Sequence, residues 1–222
     1  MIMNAIMIKL ILVMSCSLLG GCMTFNNLST GRSLGKGIHE ITPSLSSYYV
    51  EGKATTPSLP QVIYNYGLTE KMDVGANISF GMFGAQLKYQ IIGGQRSFFC
   101  MAPGITYTYF DAGTSNGNSS DRLNFSLSNL SVPLNMSVHP TERLAIYFSP
   151  KVLRLGGRAA LGSSNSSKNI MMIGFTPGIE YGRRIKVIAE VNVLSPLNTN
   201  ENFQNTFGML SLGAKTQIVG AG

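Results

Sequence analysis

Charge is scarce in this chain. Of its 222 residues only 12% are Asp, Glu, Lys or Arg, against roughly 25% in ordinary soluble domains. Hydrophobic residues, at 44%, are not in excess, so Gly, Ser, Asn and Thr stand where charges are missing. That mixture suits a wall facing lipid better than a surface facing water. The net charge of +7 comes from bases scattered in turns. With no basic run and no clustered aromatic partners, a nucleic-acid-binding reading is excluded. Histidine is limited to His39 and His139, and cysteine to three residues. No His/Cys cluster with metal-ligand spacing results. No phosphate-binding glycine loop is legible, and no nucleophile, base and orienting acid converge. The reading is therefore non-catalytic, with no cofactor and no metal. Residues 1–21 hold an apolar run, but it falls short of the unbroken span a transmembrane helix needs.

What is present is alternation. In Phe98 to Phe110, FFCMAPGITYTYF, one phase carries Phe99, Met101, Pro103, Ile105, Tyr107 and Tyr109, and the other carries Cys100, Ala102, Gly104, Thr106 and Thr108. Successive strand side chains point to opposite faces, so this strand has one apolar face and one small, mildly polar face. The same rhythm recurs over Gly37–Val50, Gln61–Leu68, Asp73–Met82, Phe83–Ile92, Leu123–Val138, Leu144–Leu155, Ile170–Tyr181, Ile185–Leu194 and about Phe203–Val219. Polar loops are expected at Asp111–Arg122 and Gly156–Asn169, and a Pro-rich loop at Glu51–Pro60. A change of phase between Leu127 and Leu130 predicts a bulge near Ser128 or Asn129. Pro43, Pro103, Pro133, Pro150 and Pro177 fall inside strands at a common depth, which predicts a ring of bulges or kinks.

About ten strands follow, with short turns after the even ones and mostly longer loops after the odd ones. The fold class is all-β: an up-and-down antiparallel transmembrane β-barrel spanning 37–219. Tyr49, Phe80, Phe83, Tyr109, Phe125 and Phe207 are expected near the long-loop rim. Tyr66, Tyr89, Phe99 and Tyr181 are expected near the short-turn rim, where amphipathic rings favour a membrane interface. Glu40, Asp73, Lys88, Lys151, Glu180, Lys186, Glu190 and Lys215 all fall on the polar phase and are expected inside. A lipid-facing Lys near the midplane would cost about 2–4 kcal/mol, and the balance of acids and bases favours a charge-paired interior over an open pore.

The even strand count with short turns on one rim resembles bacterial outer-membrane barrels, and that resemblance implies periplasmic short turns and external long loops. Residues 1–21 resemble a bacterial export signal, and Leu19-Gly20-Gly21-Cys22 resembles the lipobox of lipoproteins. By that resemblance Cys22 becomes the lipidated N-terminus, followed by a tether over 22–36. Met23, where Asp would favour inner-membrane retention, points to the outer membrane. The N-terminus is then periplasmic, with its anchor in the inner leaflet. Cys16 leaves with the leader and Cys22 is acylated, so Cys100 has no disulfide partner. The implied partners are outer-membrane lipid and the lipoprotein-processing and barrel-assembly machineries. The chain departs from many such barrels by ending Val219-Gly220-Ala221-Gly222, not in an aromatic residue.

The role expected is structural, or the handling of a small solute or ligand. Two alternatives stay open. One is a periplasmic lipocalin-like barrel with the apolar phase inside around a ligand. The other is an outer-membrane enzyme acting on lipids.

Overall fold

A computed structural model describes residues 27–50, 53–54, 59–79, 81–114, 123–161, 164–197 and 206–219. The strands are β1 (Ile38–Val50), β2 (Lys53–Ala54), β3 (Leu59–Gly67), β4 (Met72–Ser79), β5 (Met82–Tyr89), β6 (Phe99–Thr114), β7 (Leu123–Thr141), β8 (Leu144–Leu161), β9 (Ser164–Gly182), β10 (Ile185–Pro196) and β11 (Phe207–Val219). The described residues contain no helix. Each strand pairs antiparallel with its neighbours, and β11 pairs with β1, which closes the sheet. The two-residue β2 pairs only with the end of β1. The molecule is thus a closed ten-stranded up-and-down barrel, and closure leaves no open sheet edge.

The alternation decides which face is inside. On β6, Ile105 and Tyr107 are 44% and 49% exposed, whereas Cys100 and Thr108 are 0% and 1% exposed. Outward apolar side chains recur round the wall, among them Leu45, Ile78, Val132, Phe148, Ile173 and Leu212. Tyr89, Phe99 and Tyr181 are exposed toward the short-turn rim, and Phe83 and Tyr109 toward the other.

Three expectations are corrected. First, Gly156–Asn169 is strand for most of its length, because β8 and β9 stay paired from Leu155↔Ile170 up to Leu161↔Ser164. Likewise β6 runs on to Thr114 within the expected loop at 111–122; residues 115–122 lie outside the described residues. Second, no bulge occurs at Ser128 or Asn129; β6 and β7 keep one register from Phe99↔Val138 to Thr114↔Leu123. The change of phase has another cause: Phe125 and Leu127 turn inward onto the buried Met82 and Phe110. The inner face itself becomes apolar near the long-loop end. Phe125 and Phe207 therefore belong to interior clusters and not to an outer aromatic girdle. Third, the strand prolines do not make bulges. Next to Pro43 the ladder passes from Ile41↔Thr216 to Ser44↔Gly213, and next to Pro177 from Glu190↔Gly178 to Val193↔Phe175. Similar gaps flank Pro103 and Pro133. The register is the same on both sides of each gap. A missing N–H drops a ladder bond without inserting a residue.

Candidate functional site: the filled lumen

The lumen is occupied by the chain's own residues 27–35, NLSTGRSLG. The sequence reads this stretch as part of a tether. It instead runs down the inside of the barrel to the short-turn rim and leads into β1. It has neither helical nor strand periodicity, so its backbone groups need partners from the wall, and the wall supplies them. The N–H groups of Asn27 and Leu28 donate to the two oxygens of Glu190, at 2.8 Å each. Gly31 donates to Ser137 Oγ (3.1 Å), Ser33 to Gln90 Oε1 (2.9 Å) and Leu34 to Asp73 Oδ1 (3.0 Å). In the other direction, Lys88 Nζ donates to the carbonyls of Thr30 and Arg32, at 3.2 and 2.8 Å. The side chain of Leu28 packs with Ile63, Tyr147 and Ile188. Leu28 also holds a φ of +38°, a left-handed conformation costing about 1–2 kcal/mol for a non-glycine residue, which these contacts offset.

Close packing explains why the inward face of β6 is small. A Cβ on Gly31 would lie 2.5 Å from the Cys100 carbonyl oxygen and 2.7 Å from that of Asn135. The plug's backbone therefore rests directly on the wall, where Cys100, Ala102 and Gly104 leave room for it. Cys100 is fully buried and acts as a space-filler. A cavity of about 20 Å³ remains beside Asn27, lined by Asn65, Gln86, Gly104 and Thr106 among others. That is room for about one water.

The eight ionisable residues assigned to the interior all lie on the lumen wall, with Lys88 and Lys186 partly exposed and the other six buried. Six of them form two groups by ion pairing. Glu180 accepts from Lys186 at 2.8 Å and Lys215 at 2.9 Å, and Lys215 is 3.6 Å from Glu40. Asp73 pairs with Lys88 at 3.0 Å. Glu190 is held by hydrogen bonds: Tyr147 Oη and Asn192 Nδ2 donate to it at 2.9 Å each, besides the plug's two amides. Asn192 in turn accepts from Lys151 and Thr176. Several partners went unread in the sequence, including Asn135, Ser137 and Tyr147. Tyr147 carried a usable signal, being a large aromatic in the phase opposite to Ile146 and Phe148.

Nearer the long-loop rim the interior changes character. Met82 and Phe110 form one apolar cluster with Phe125, Leu127 and Leu155. Leu153, Met172 and Leu194 form another with Ile170 and Phe207. The two share Leu155 and line part of the lumen above the plug.

Among the described residues, neither histidine has a nucleophile and an orienting acid hydrogen-bonded in series with it. His39 Nδ1 lies 2.7 Å from Tyr64 Oη on the exposed side. His139 Nε2 lies 2.9 Å from Ser137 Oγ. Ser137 is buried beneath the plug and already accepts from Gly31; no carboxylate among the described residues hydrogen-bonds to His139. No group of His, Cys, Asp and Glu among the described residues has metal-holding geometry. Cys22, the leader and Phe80 lie outside the described residues. The lipocalin-like arrangement needs the apolar phase inside. The wall has it outside, with buried acids and lysines inward.

No family model matches the chain, and no curated protein matches it. Among solved structures, the outer membrane protease OmpT from Escherichia coli is 10% identical, covering 86% of this chain and 100% of that one, with a TM-score of 0.51. Ail, the attachment invasion locus protein of Yersinia pestis, is 11% identical over 82% of this chain and 99% of its own, with a TM-score of 0.42. Neisserial surface protein A is 11% identical over 82% of this chain and 97% of its own, with a TM-score of 0.36. At these identities the likeness is one of fold: the chain has the architecture of an outer-membrane β-barrel.

Proposed function

We propose that this protein is a closed outer-membrane barrel, lipidated at Cys22, whose role is structural or ligand-handling and not catalytic. Its short turns face the periplasm and its long loops face outward. One observation carries the reading: an outward apolar belt surrounds a polar interior filled by residues 27–35. A lumen blocked by hydrogen-bonded chain does not support steady solute passage. Any ligand would be held at the long-loop mouth or the outer wall. The enzyme alternative has less support, because Ser137 and His139 sit under the plug without an orienting acid.

The test is single-cysteine substitution along β6 in a Cys100→Ala background, reconstituted in bilayers with a lipid-phase quencher on one sample and an aqueous thiol reagent on another. Labels at 105 and 107 are expected to be quenched from the lipid, and 106 and 108 to be shielded from both. Lipid shielding at 105 and 107 together with quenching at 106 would overturn the membrane reading.

A further inference from the structure

The outward face of the wall carries very little charge. On the wall strands, Lys88, Lys151, Lys186 and Lys215 point into the lumen, and Lys168 shares that inward phase as the partner of Gly157. Among the described residues of these strands, the arginines Arg154 and Arg158 of β8 are the strong bases left on the outward phase, and both are exposed. Neither takes part in a hydrogen bond or an ion pair among the described residues.

Height decides what these arginines meet. Ten residues of β8 separate Leu144, at the short-turn end, from Arg154. At a rise of about 3.4 Å per residue and a tilt of about 35–45°, they climb about 24–28 Å, close to the ~25 Å height of an apolar belt. Arg158, four residues on, stands about 10 Å higher by the same rise and tilt. The neighbouring strands change character at the same register. Outward on β7, Val132 and Leu130 give way to Ser128 and Ser126; outward on β9, Ile173 and Met171 give way to Asn169 and Ser167. A lipid-facing arginine is costly at the midplane and nearly free at the interface, so Arg154 stands where hydrocarbon ends and headgroups begin.

Between the two arginines the surface is cut back at Gly156. A Cβ there would lie 2.8 Å from Ser128 Oγ and 3.0 Å from Asn169 Oδ1, so a hydroxyl and an amide lean over the glycine from either side. Tyr109 continues that row beyond Ser128, a ring with a polar tip, as membrane interfaces favour. Asp111 is the acid on this face. It lies two strands from Arg158, across Ser126, and forms no ion pair with it. A guanidinium fork matches phosphate oxygens, and a lipid surface presents phosphates at this height.

We infer that Arg154 and Arg158, with Ser128 and Asn169 around Gly156, hold the phosphate of an anionic lipid headgroup against the outer wall of β7–β9, in the leaflet at the long-loop rim. The inference rests on the membrane reading of the wall and adds to it a preference for charge in one sector.

The sequence has no tryptophan, so a single introduced one reports on its own lipid neighbours. In the full chain, Leu130→Trp places it opposite Arg154, and Val62→Trp places it on β3, five strands from β8 in both directions round the ring. Both positions are outward and exposed. Each protein is folded into vesicles of phosphatidylcholine and phosphatidylglycerol, with the acyl chains of one lipid or the other brominated to quench Trp. Folding is checked by heat-modifiable gel mobility. The expected result at 130 is a preference for phosphatidylglycerol of about fivefold or more, the factor one arginine supplies at an anionic surface. No preference is expected at 62, and Arg154→Gln with Arg158→Gln brings 130 down to the level of 62. A preference at 130 no greater than at 62, or one unchanged by the double substitution, overturns the site and leaves the membrane reading standing. Folded protein quenched by neither lipid at either position overturns the membrane reading and the site with it.

Discussion

The two halves of the lumen are packed by different means. The half nearer the short turns is polar and is filled by chain from outside the ladder, with its amides on Glu190, Gln90 and Asp73. The half nearer the long loops carries two apolar clusters of the wall's own side chains. Polar filling of the first kind demands a partner for nearly every group. Apolar filling demands only volume. The first half should therefore be sensitive to the loss of single polar atoms, and the second to the loss of methylenes.

The largest effect is expected on the polar side. Lys215→Met leaves Glu40 and Glu180 buried with fewer counter-charges, and breaking such a pair costs about 3–5 kcal/mol, read as a lower urea midpoint in micelles. On the apolar side, Leu153→Ala should cost about 3 kcal/mol through the cavity it leaves, with hydrogen exchange of 27–35 unchanged. If Leu153→Ala loosened the plug, the two halves would not be independent. Gly31→Val should cost about 1–3 kcal/mol by overpacking, because its Cβ meets the carbonyls of Cys100 and Asn135. Gly94→Val, with its nearest neighbour at 3.8 Å, should be tolerated. Equal tolerance at both sites would mean that the plug does not press on the wall. The smallest effect is expected at His139→Ala, about 1 kcal/mol for one partly exposed hydrogen bond, measured by the same unfolding.

Much of this was legible in the residues. Alternation in β6 assigns Ile105 and Tyr107 to the outside and Thr108 to the inside. The phase of Glu180, Lys186 and Lys215 puts three partners on one wall before any pairing is known. Period-two patterns see only strands, however. The plug has no period, and NLSTGRSLG has the composition of any linker. Its place is set by contacts with residues up to 163 positions away. The small residues of β6 were a trace of it, readable only once something is known to lie against them. The inward turn of Phe125 and Leu127 looked like a bulge for a related reason. Binary patterning assumes that a face keeps one character along its length, and here the inner face turns from polar to apolar.

The central claim is that residues 27–35 are a fixed part of the barrel interior. Hydrogen exchange of the folded protein in bilayers, followed by mass spectrometry of peptides covering 27–35, tests it without a substitution. The account predicts protection comparable to that of the β6 and β7 peptides, because the amides of Asn27, Leu28, Gly31, Ser33 and Leu34 are all bonded to buried wall side chains. Exchange as fast as that of a free tail would contradict it.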